Sequence, residues 1–77
     1  MGEKAEALEF TVGEGFKGVD IPLKELELKK NLLIGGIVRG KEFILPSGDT
    51  KIQIGDRIIV VCEERRITQL SQILKKS

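Results

Sequence analysis

The segment Arg57-Ile-Ile-Val-Val-Cys62 restricts the possible folds more than any other part of the sequence. Its four central residues are all β-branched, and such side chains lose rotamer freedom in a helix but pack well on a pleated sheet. Three other segments also have strand patterns, with either alternating or continuous apolar residues: residues 7–12, 32–38 and 42–45. The last two flank Arg39-Gly40-Lys41, a tight turn, so we expect them to form a β-hairpin.

Two further segments have helical patterns. Pro22 suits the first position of a short helix because its missing N–H is not needed there, and Leu23 and Leu26 share one face. A second helix is expected from about Glu63 to Lys76, with acidic residues at its start and basic residues at its end, as the helix dipole favours. The apolar face of this second helix would be Ile67, Leu70, Ile73 and Leu74.

These elements predict an α+β fold, a small antiparallel-rich sheet with two helices in the order β-α-β-β-(β)-β-α. The bracketed strand is a short extended piece at Ile52 and Ile54. A chain of 77 residues suits one domain with a thin core. We expect that domain to span residues 6–77, with residues 1–5 as a cloning or linker remnant.

The residue types present argue against catalytic and metal sites. The chain has no His and a single Cys, Cys62, so a His-containing zinc site, a histidine base and an internal disulfide are excluded. Asp49 and Asp56 fall at turns, where Asp is common because its side chain accepts hydrogen bonds from nearby N–H groups. Residues 13–18 fit the pattern G-x-G-x-x-G, but only a short helix follows, so a connecting loop is the better interpretation. We expect a protein that is not an enzyme.

Charge and hydropathy exclude two classes of partner. The formal net charge is +1 and Trp and Tyr are absent, whereas a nucleic-acid-binding domain would need a basic face and stacking aromatics. No apolar run approaches the roughly 20 residues of a membrane-spanning helix, so direct membrane insertion is not expected. A single cysteine fits a reducing cytosol.

Two adjacent glycines, Gly35 and Gly36, interrupt the apolar run that forms the first strand of the hairpin. Glycine weakens a strand unless another group must approach its backbone closely. Ordinary packing within the chain and contact with a second subunit or a ligand both explain the pair, and the sequence does not choose between them. If a second subunit is the contact, we expect the dimer interface to include Gly35, Gly36, Ile37 and Arg39.

A combination of motifs links the hairpin to a known family. A strand ends in Arg39, Pro46 follows, and Gly48-Asp49-Thr50 and Gly55-Asp56 precede the β-branched strand. This combination resembles the C-terminal subdomain of regulator-of-potassium-conductance proteins, the TrkA-C domain, as found in bacterial Trk-type potassium-uptake regulators. The resemblance extends over nearly the whole chain after residue 5.

The resemblance implies a cytoplasmic domain that forms a symmetric homodimer. In its parent protein such a domain follows a dinucleotide-binding domain and biases a potassium transporter or channel, so it lies at the inner face of the membrane through that partner. It implies no cofactor within the domain itself, but a possible small effector, either a nucleotide or cyclic di-AMP.

In some members of the family, the dimer cleft binds cyclic di-AMP, and an Asp-Ile-Arg-Ala-like stretch precedes the hairpin. The matching stretch here is Glu27-Leu28-Lys29-Lys30, where Lys29 keeps the charge of Arg but lacks its planar fork. The expected ligand-binding residues of the cleft are Leu28, Lys29, Leu33, Ile34 and Pro46.

Three functions follow from these observations. The first is a regulatory, ligand-sensing and dimerisation domain of a potassium uptake or channel protein. The second is a ligand-free assembly module on another cation or anion transporter. The third is a small nucleic-acid-binding domain, against which the low net charge and the missing aromatics argue.

Substitution of Cys62 tests whether the domain is an enzyme. A lone cysteine at the end of a β-branched strand is typically a small core residue rather than a nucleophile. Cys62→Ser and Cys62→Ala should therefore alter thermal stability only. A measured turnover that disappeared in both variants would contradict this interpretation.

Overall fold

The computed structural model describes residues 5–63 and 67–75. Its four strands form one antiparallel sheet, in the spatial order β1-β4-β2-β3. In chain order the strands are β1 (Glu6–Thr11), β2 (Leu32–Arg39), β3 (Glu42–Ile44) and β4 (Arg57–Cys62). Two 3-10 turns complete the regular structure, Leu23–Glu25 and Leu70–Ile73.

The β-branched strand β4 lies inside the sheet, with β1 on one side and β2 on the other. Its alternate residues Ile58, Val60 and Cys62 point into the core and are at most 1% exposed. The residues between them, Ile59 and Val61, are half-buried on the outer face of the sheet. A strand covered on one face and partly covered on the other explains why nearly all of its side chains are apolar.

The core combines this inner sheet face with the loops and turns that cover it. Its buried residues are Val12, Phe16, Ile37, Ile52, Ile58, Val60, Cys62, Ile67, Leu70 and Ile73. Gly18, the last glycine of the G-x-G-x-x-G pattern, packs against the Phe16 ring, where a β-carbon would come within 2.7 Å of a ring carbon. This loop therefore covers the core.

The expected α+β class with two helices is wrong. Where helices were predicted, the described residues contain 3-10 turns of three and four residues. Residues 64–66 and Lys76 of the expected second helix lie outside the described residues. The expected short strand at Ile52 and Ile54 is also absent, because Ile52 forms only an isolated parallel bridge with Val19.

One contact explains why neither helix extends. Leu28, which would continue the first helix, forms an antiparallel bridge with Leu74, which would end the second helix. The Lys29 N–H donates to the Ile73 carbonyl at 2.8 Å, and the Lys75 N–H donates to the Glu27 carbonyl at 2.7 Å. Backbone groups that a longer helix would have used are therefore satisfied between two distant segments.

The second 3-10 turn also fits its own sequence. The buried residues Ile67, Leu70 and Ile73 are three apart, and side chains with this spacing align in a 3-10 helix, which has 3.0 residues per turn. The Gln72 side-chain carbonyl accepts the N–H groups of Thr68 at 2.6 Å and Gln69 at 3.0 Å, and so caps the start of the turn. Within the described part of the chain, no helix is long and apolar enough to cross a membrane.

Candidate functional site

A groove of about 320 Å³ lies between the start of β2 and the loop that follows β3. We call it the hairpin groove. It is lined by Leu23, Lys24, Leu28, Leu32, Leu33, Ile34, Pro46, Ser47 and Gly48. Four of the five predicted ligand-binding residues are among these, namely Leu28, Leu33, Ile34 and Pro46.

The walls of the hairpin groove are mostly apolar, and Leu33 is 56% exposed there. Among the described residues of the lining, Lys24 alone is charged, and its Nζ lies 2.9 Å from Asp49 Oδ1. The Lys24 N–H donates to the Gly48 carbonyl at 2.9 Å, which joins the first 3-10 turn to the loop after β3. An apolar cleft with few polar groups is typical of small-molecule sites.

Lys29, the fifth predicted ligand-binding residue, lies elsewhere. It borders a second groove of about 470 Å³, which we call the lysine groove. This groove is lined by Gly15, Lys17, Lys29, Ser71, Gln72, Leu74 and Lys75. The cation of the hairpin groove is thus Lys24, which is not among the predicted ligand-binding residues. No local signal marks Lys24, because its position depends on pairing with the loop at residues 48–50.

The glycines predicted at a dimer interface contact side chains of their own chain. A β-carbon on Gly36 would lie 2.5 Å from Phe43 Cζ, and one on Gly35 would lie 3.3 Å from Val61 Cγ2. The pairing of β2 with β4 shifts register between Ile34 and Gly36, which is a β-bulge. Ile37 is fully buried in the core. Contact of this region with a second subunit stays a prediction.

Arg39, the fourth predicted interface residue, forms an ion pair with Asp56. Its Nε donates to Asp56 Oδ1 at 2.9 Å and its Nη2 donates to Oδ2 at 2.8 Å, so the pair is bidentate. Nη2 also donates to the Lys51 carbonyl at 2.9 Å, and the Gln53 N–H donates to Asp56 Oδ2 at 2.8 Å. Asp56 is 1% exposed, whereas the Arg39 side chain stays partly exposed.

These contacts stabilise the charged forms of both groups. The hydrogen bonds from Arg39 are the largest cause of a lowered pKa of Asp56; burial opposes them and the Gln53 N–H reinforces them. The hydrogen bond to Asp56 likewise raises the pKa of Arg39. A carboxylate held ionised by a structural arginine is a poor proton donor or acceptor at neutral pH, so the pair has a structural role.

The described residues offer few other groups that could hold a metal ion or act as a nucleophile. Across 5–63 and 67–75, no three His, Cys, Asp or Glu side chains are grouped so that they could hold a metal ion. A smaller groove of about 250 Å³ opens beside Asn31 and Cys62, but the Cys62 side chain is buried. Among the grooves bordered by described residues, we take the hairpin groove and the lysine groove as candidate sites.

Comparison with known proteins identifies the family. The model of the TrkA-C domain matches residues 7–75. The chain belongs to the TrkA-C domain family. The resemblance seen in the hairpin and turn motifs is thereby confirmed.

Two relatives show how the TrkA-C domain occurs in longer proteins. It is 35% identical over 74 residues to Trk system potassium uptake protein TrkA homolog 1 of Methanosarcina mazei, covering 96% of this chain but 16% of that protein. It is 32% identical over 75 residues to the Trk system potassium uptake protein TrkA homolog of Pyrococcus abyssi, covering 96% of this chain and 33% of that protein. The chain thus spans at most about a third of either relative.

A solved structure has a similar fold. It is described as "Structure of RCK domain with cda" and aligns with a TM-score of 0.71 at 28% sequence identity. The alignment covers 90% of this chain and 97% of that one.

The ion pair of this TrkA-C domain predicts a pH-dependent stability. Asp56→Asn replaces an acceptor with an amide that donates toward Arg39, so we expect the free energy of unfolding to fall by about 2–3 kcal/mol at pH 7. Because the pKa of Asp56 is lowered on folding, the ionised carboxylate stabilises the native state above the ordinary Asp pKa of about 3.9. That stabilisation is lost as the pH falls through the pKa of Asp56 in the folded state, which is lower than its ordinary value.

Denaturant unfolding of both proteins between pH 7 and pH 2 measures this effect, and the difference in stability between them should narrow below about pH 4. Asp49→Asn is the matched control. Asp49 forms an ion pair with Lys24 in which both side chains are exposed, so it should contribute little to the free energy of unfolding. An equal loss of stability in both variants, or a difference that does not depend on pH, would contradict the prediction.

Proposed function

We propose that this TrkA-C domain is a regulatory, ligand-sensing and dimerisation domain of a potassium uptake or channel protein. It acts in the cytoplasm beside a membrane subunit and catalyses no reaction. Family membership and the names of the relatives from Methanosarcina and Pyrococcus support the regulatory role. The observation that most supports ligand sensing is the convergence of Leu28, Leu33, Ile34 and Pro46 on the hairpin groove.

The chemistry of the hairpin groove favours a ligand that combines a ring with an anion. Its leucine, isoleucine and proline side chains suit a planar base, and Lys24 supplies one positive charge. Both ends of the Lys24–Asp49 pair are exposed, so exchanging Asp49 for a ligand phosphate costs little. We therefore propose a nucleotide or cyclic di-AMP as the effector; the similar RCK domain described with cda supports this class.

The exposed apolar residues near the groove support dimerisation. Leu33 on β2 is 56% exposed and Phe43 on β3 is 58% exposed, so both present apolar surface to solvent in the single chain. A second copy that covers this surface would add to a core that is thin in a chain of 77 residues. Isologous pairing would bring two hairpin grooves together across one axis.

A titration with cyclic di-AMP tests the ligand. Calorimetry should show binding to the parent domain, and Lys24→Ala should weaken it at least tenfold, because it removes a charge-assisted contact worth about 1.5–3 kcal/mol. Leu33→Ala should also weaken binding, because it removes part of the apolar wall of the hairpin groove. Lys51→Ala is the control, because Lys51 is equally cationic and exposed but lines neither groove.

Three results would redirect the ligand proposal. Unchanged affinity in both Lys24→Ala and Leu33→Ala would place the ligand outside the hairpin groove. Loss of affinity in Lys29→Ala alone would place cyclic di-AMP at the lysine groove. No binding of cyclic di-AMP or of any nucleotide would favour the ligand-free assembly module.

Light scattering tests dimerisation. At micromolar concentration the parent domain should have a mass near twice 8.5 kDa. Leu33→Asp should give a monomer, because a charge would be buried without a partner in the interface. Ile54→Asp is the matched control, since Ile54 is 55% exposed but lies in the turn before β4. A parent that stays monomeric at high concentration, or dissociation caused by Ile54→Asp alone, would contradict the proposed interface.

A further inference from the structure

We propose that the lysine groove is a second binding site, which takes a phosphate-bearing anion independently of the hairpin groove. The described linings of the two grooves have no residue in common. The proposal thus goes beyond the ligand sensing assigned to the hairpin groove, and either site can exist without the other.

Three lysines from three separate segments border this groove. Lys17 comes from the loop after β1, Lys29 precedes β2, and Lys75 follows the second 3-10 turn. The fold therefore brings together charges that are up to 58 residues apart along the chain (75 − 17). The lining contains no Asp or Glu among the described residues, so its formal charge is +3.

The backbone fixes two of these lysines relative to each other. In the Leu28–Leu74 bridge, Lys29 lies opposite Ile73, so Lys75 is its diagonal neighbour across the pair. Diagonal positions in an antiparallel pair are about 7–8 Å apart, within reach of long side chains. The two backbone hydrogen bonds that flank the bridge, at 2.8 and 2.7 Å, hold this geometry before any ligand arrives.

Glu27 lies opposite Lys75 in the bridge, but no ion pair within the described residues neutralises the lysines of the groove. Elsewhere, Lys24, Arg39 and Arg57 each pair with an acid. Over the described ranges, Lys17, Lys29 and Lys75 form neither an ion pair nor a side-chain hydrogen bond. Like charges at neighbouring positions repel, and a bound anion would relieve that repulsion.

Two further side chains make the groove a set of hydrogen-bond donors. The Gln72 carbonyl oxygen is occupied by the backbone N–H groups of Thr68 and Gln69, which leaves its NH₂ group to donate into the groove. Ser71 adds a hydroxyl. Ammonium, amide and hydroxyl donors around one cavity match the several acceptor oxygens of a phosphate. The volume of about 470 Å³ accommodates a diphosphate or a nucleotide tail.

Phosphate groups of this kind are available free in solution or on anionic lipid headgroups, and both present the same chemistry to the groove. Calorimetric titration of the 77-residue chain with inorganic pyrophosphate tests the soluble source. Co-sedimentation with vesicles containing phosphatidylglycerol, with phosphatidylcholine vesicles as the blank, tests the lipid source. In either arm, binding should weaken as the salt concentration rises.

Single-lysine variants locate the binding. Lys29→Ala and Lys75→Ala should each weaken pyrophosphate or vesicle binding about tenfold, by removal of one charge-assisted contact. Lys30→Ala is the matched control: it adjoins Lys29 and removes the same charge but does not line the groove. Thermal unfolding of each variant checks that the domain remains folded.

The outcomes separate this site from the hairpin groove. If Lys29→Ala and Lys75→Ala lose binding while Lys30→Ala does not, the site is supported. The arm in which this occurs, pyrophosphate or vesicles, identifies the phosphate source. An equal loss of binding in all three variants would show that the net charge of the domain alone causes the binding, and would overturn the proposal. Absence of binding in both arms would also overturn it. Lys24→Ala, which tests the hairpin groove, should leave pyrophosphate binding unchanged.

Discussion

The ion pair between Arg39 and Asp56 is the interaction on which the arrangement of this domain depends. Arg39 ends β2, and its guanidinium reaches the Lys51 carbonyl as well as the carboxylate that immediately precedes β4. The backbone of Asp56 extends the connection, because its carbonyl accepts the Val12 N–H at the end of β1 at 2.8 Å. The carboxylate thus joins the end of β2 to the loop at Gln53, and the backbone of the same residue holds the end of β1. Loss of its charge would disturb the contacts with Arg39 and Gln53 directly.

The bridge between Leu28 and Leu74 has a comparable influence on the candidate sites. An extended segment points successive side chains to opposite sides. Leu28 accordingly lines the hairpin groove, while its neighbour Lys29 lines the lysine groove. The bridge follows both 3-10 turns, and its two residues border different grooves, Leu28 the hairpin groove and Leu74 the lysine groove.

Much of the sheet was predictable because strand signals are local. The β-branched run defined β4 with the bounds observed, and alternation placed β1 within one residue at each end. Four members of the hairpin groove were also predictable, since the family resemblance placed them around the hairpin. Lys24 was not, because its role comes from Asp49 and Gly48, which reach it only after the loop at residues 48–50 has folded onto the first turn.

The sequence by itself determined the strands, the absence of histidine chemistry and the family, because β-branched runs, residue counts and motif combinations are properties of the chain alone. Tertiary structure decided that the predicted helices are single 3-10 turns. Apolar spacing of three or four residues fits both kinds of helix, and in a segment of one or two turns intrinsic propensity is weaker than pairing with a distant segment. Only the folded chain could show that Lys17, Lys29 and Lys75 meet, because contacts between distant segments leave no periodic trace in the sequence.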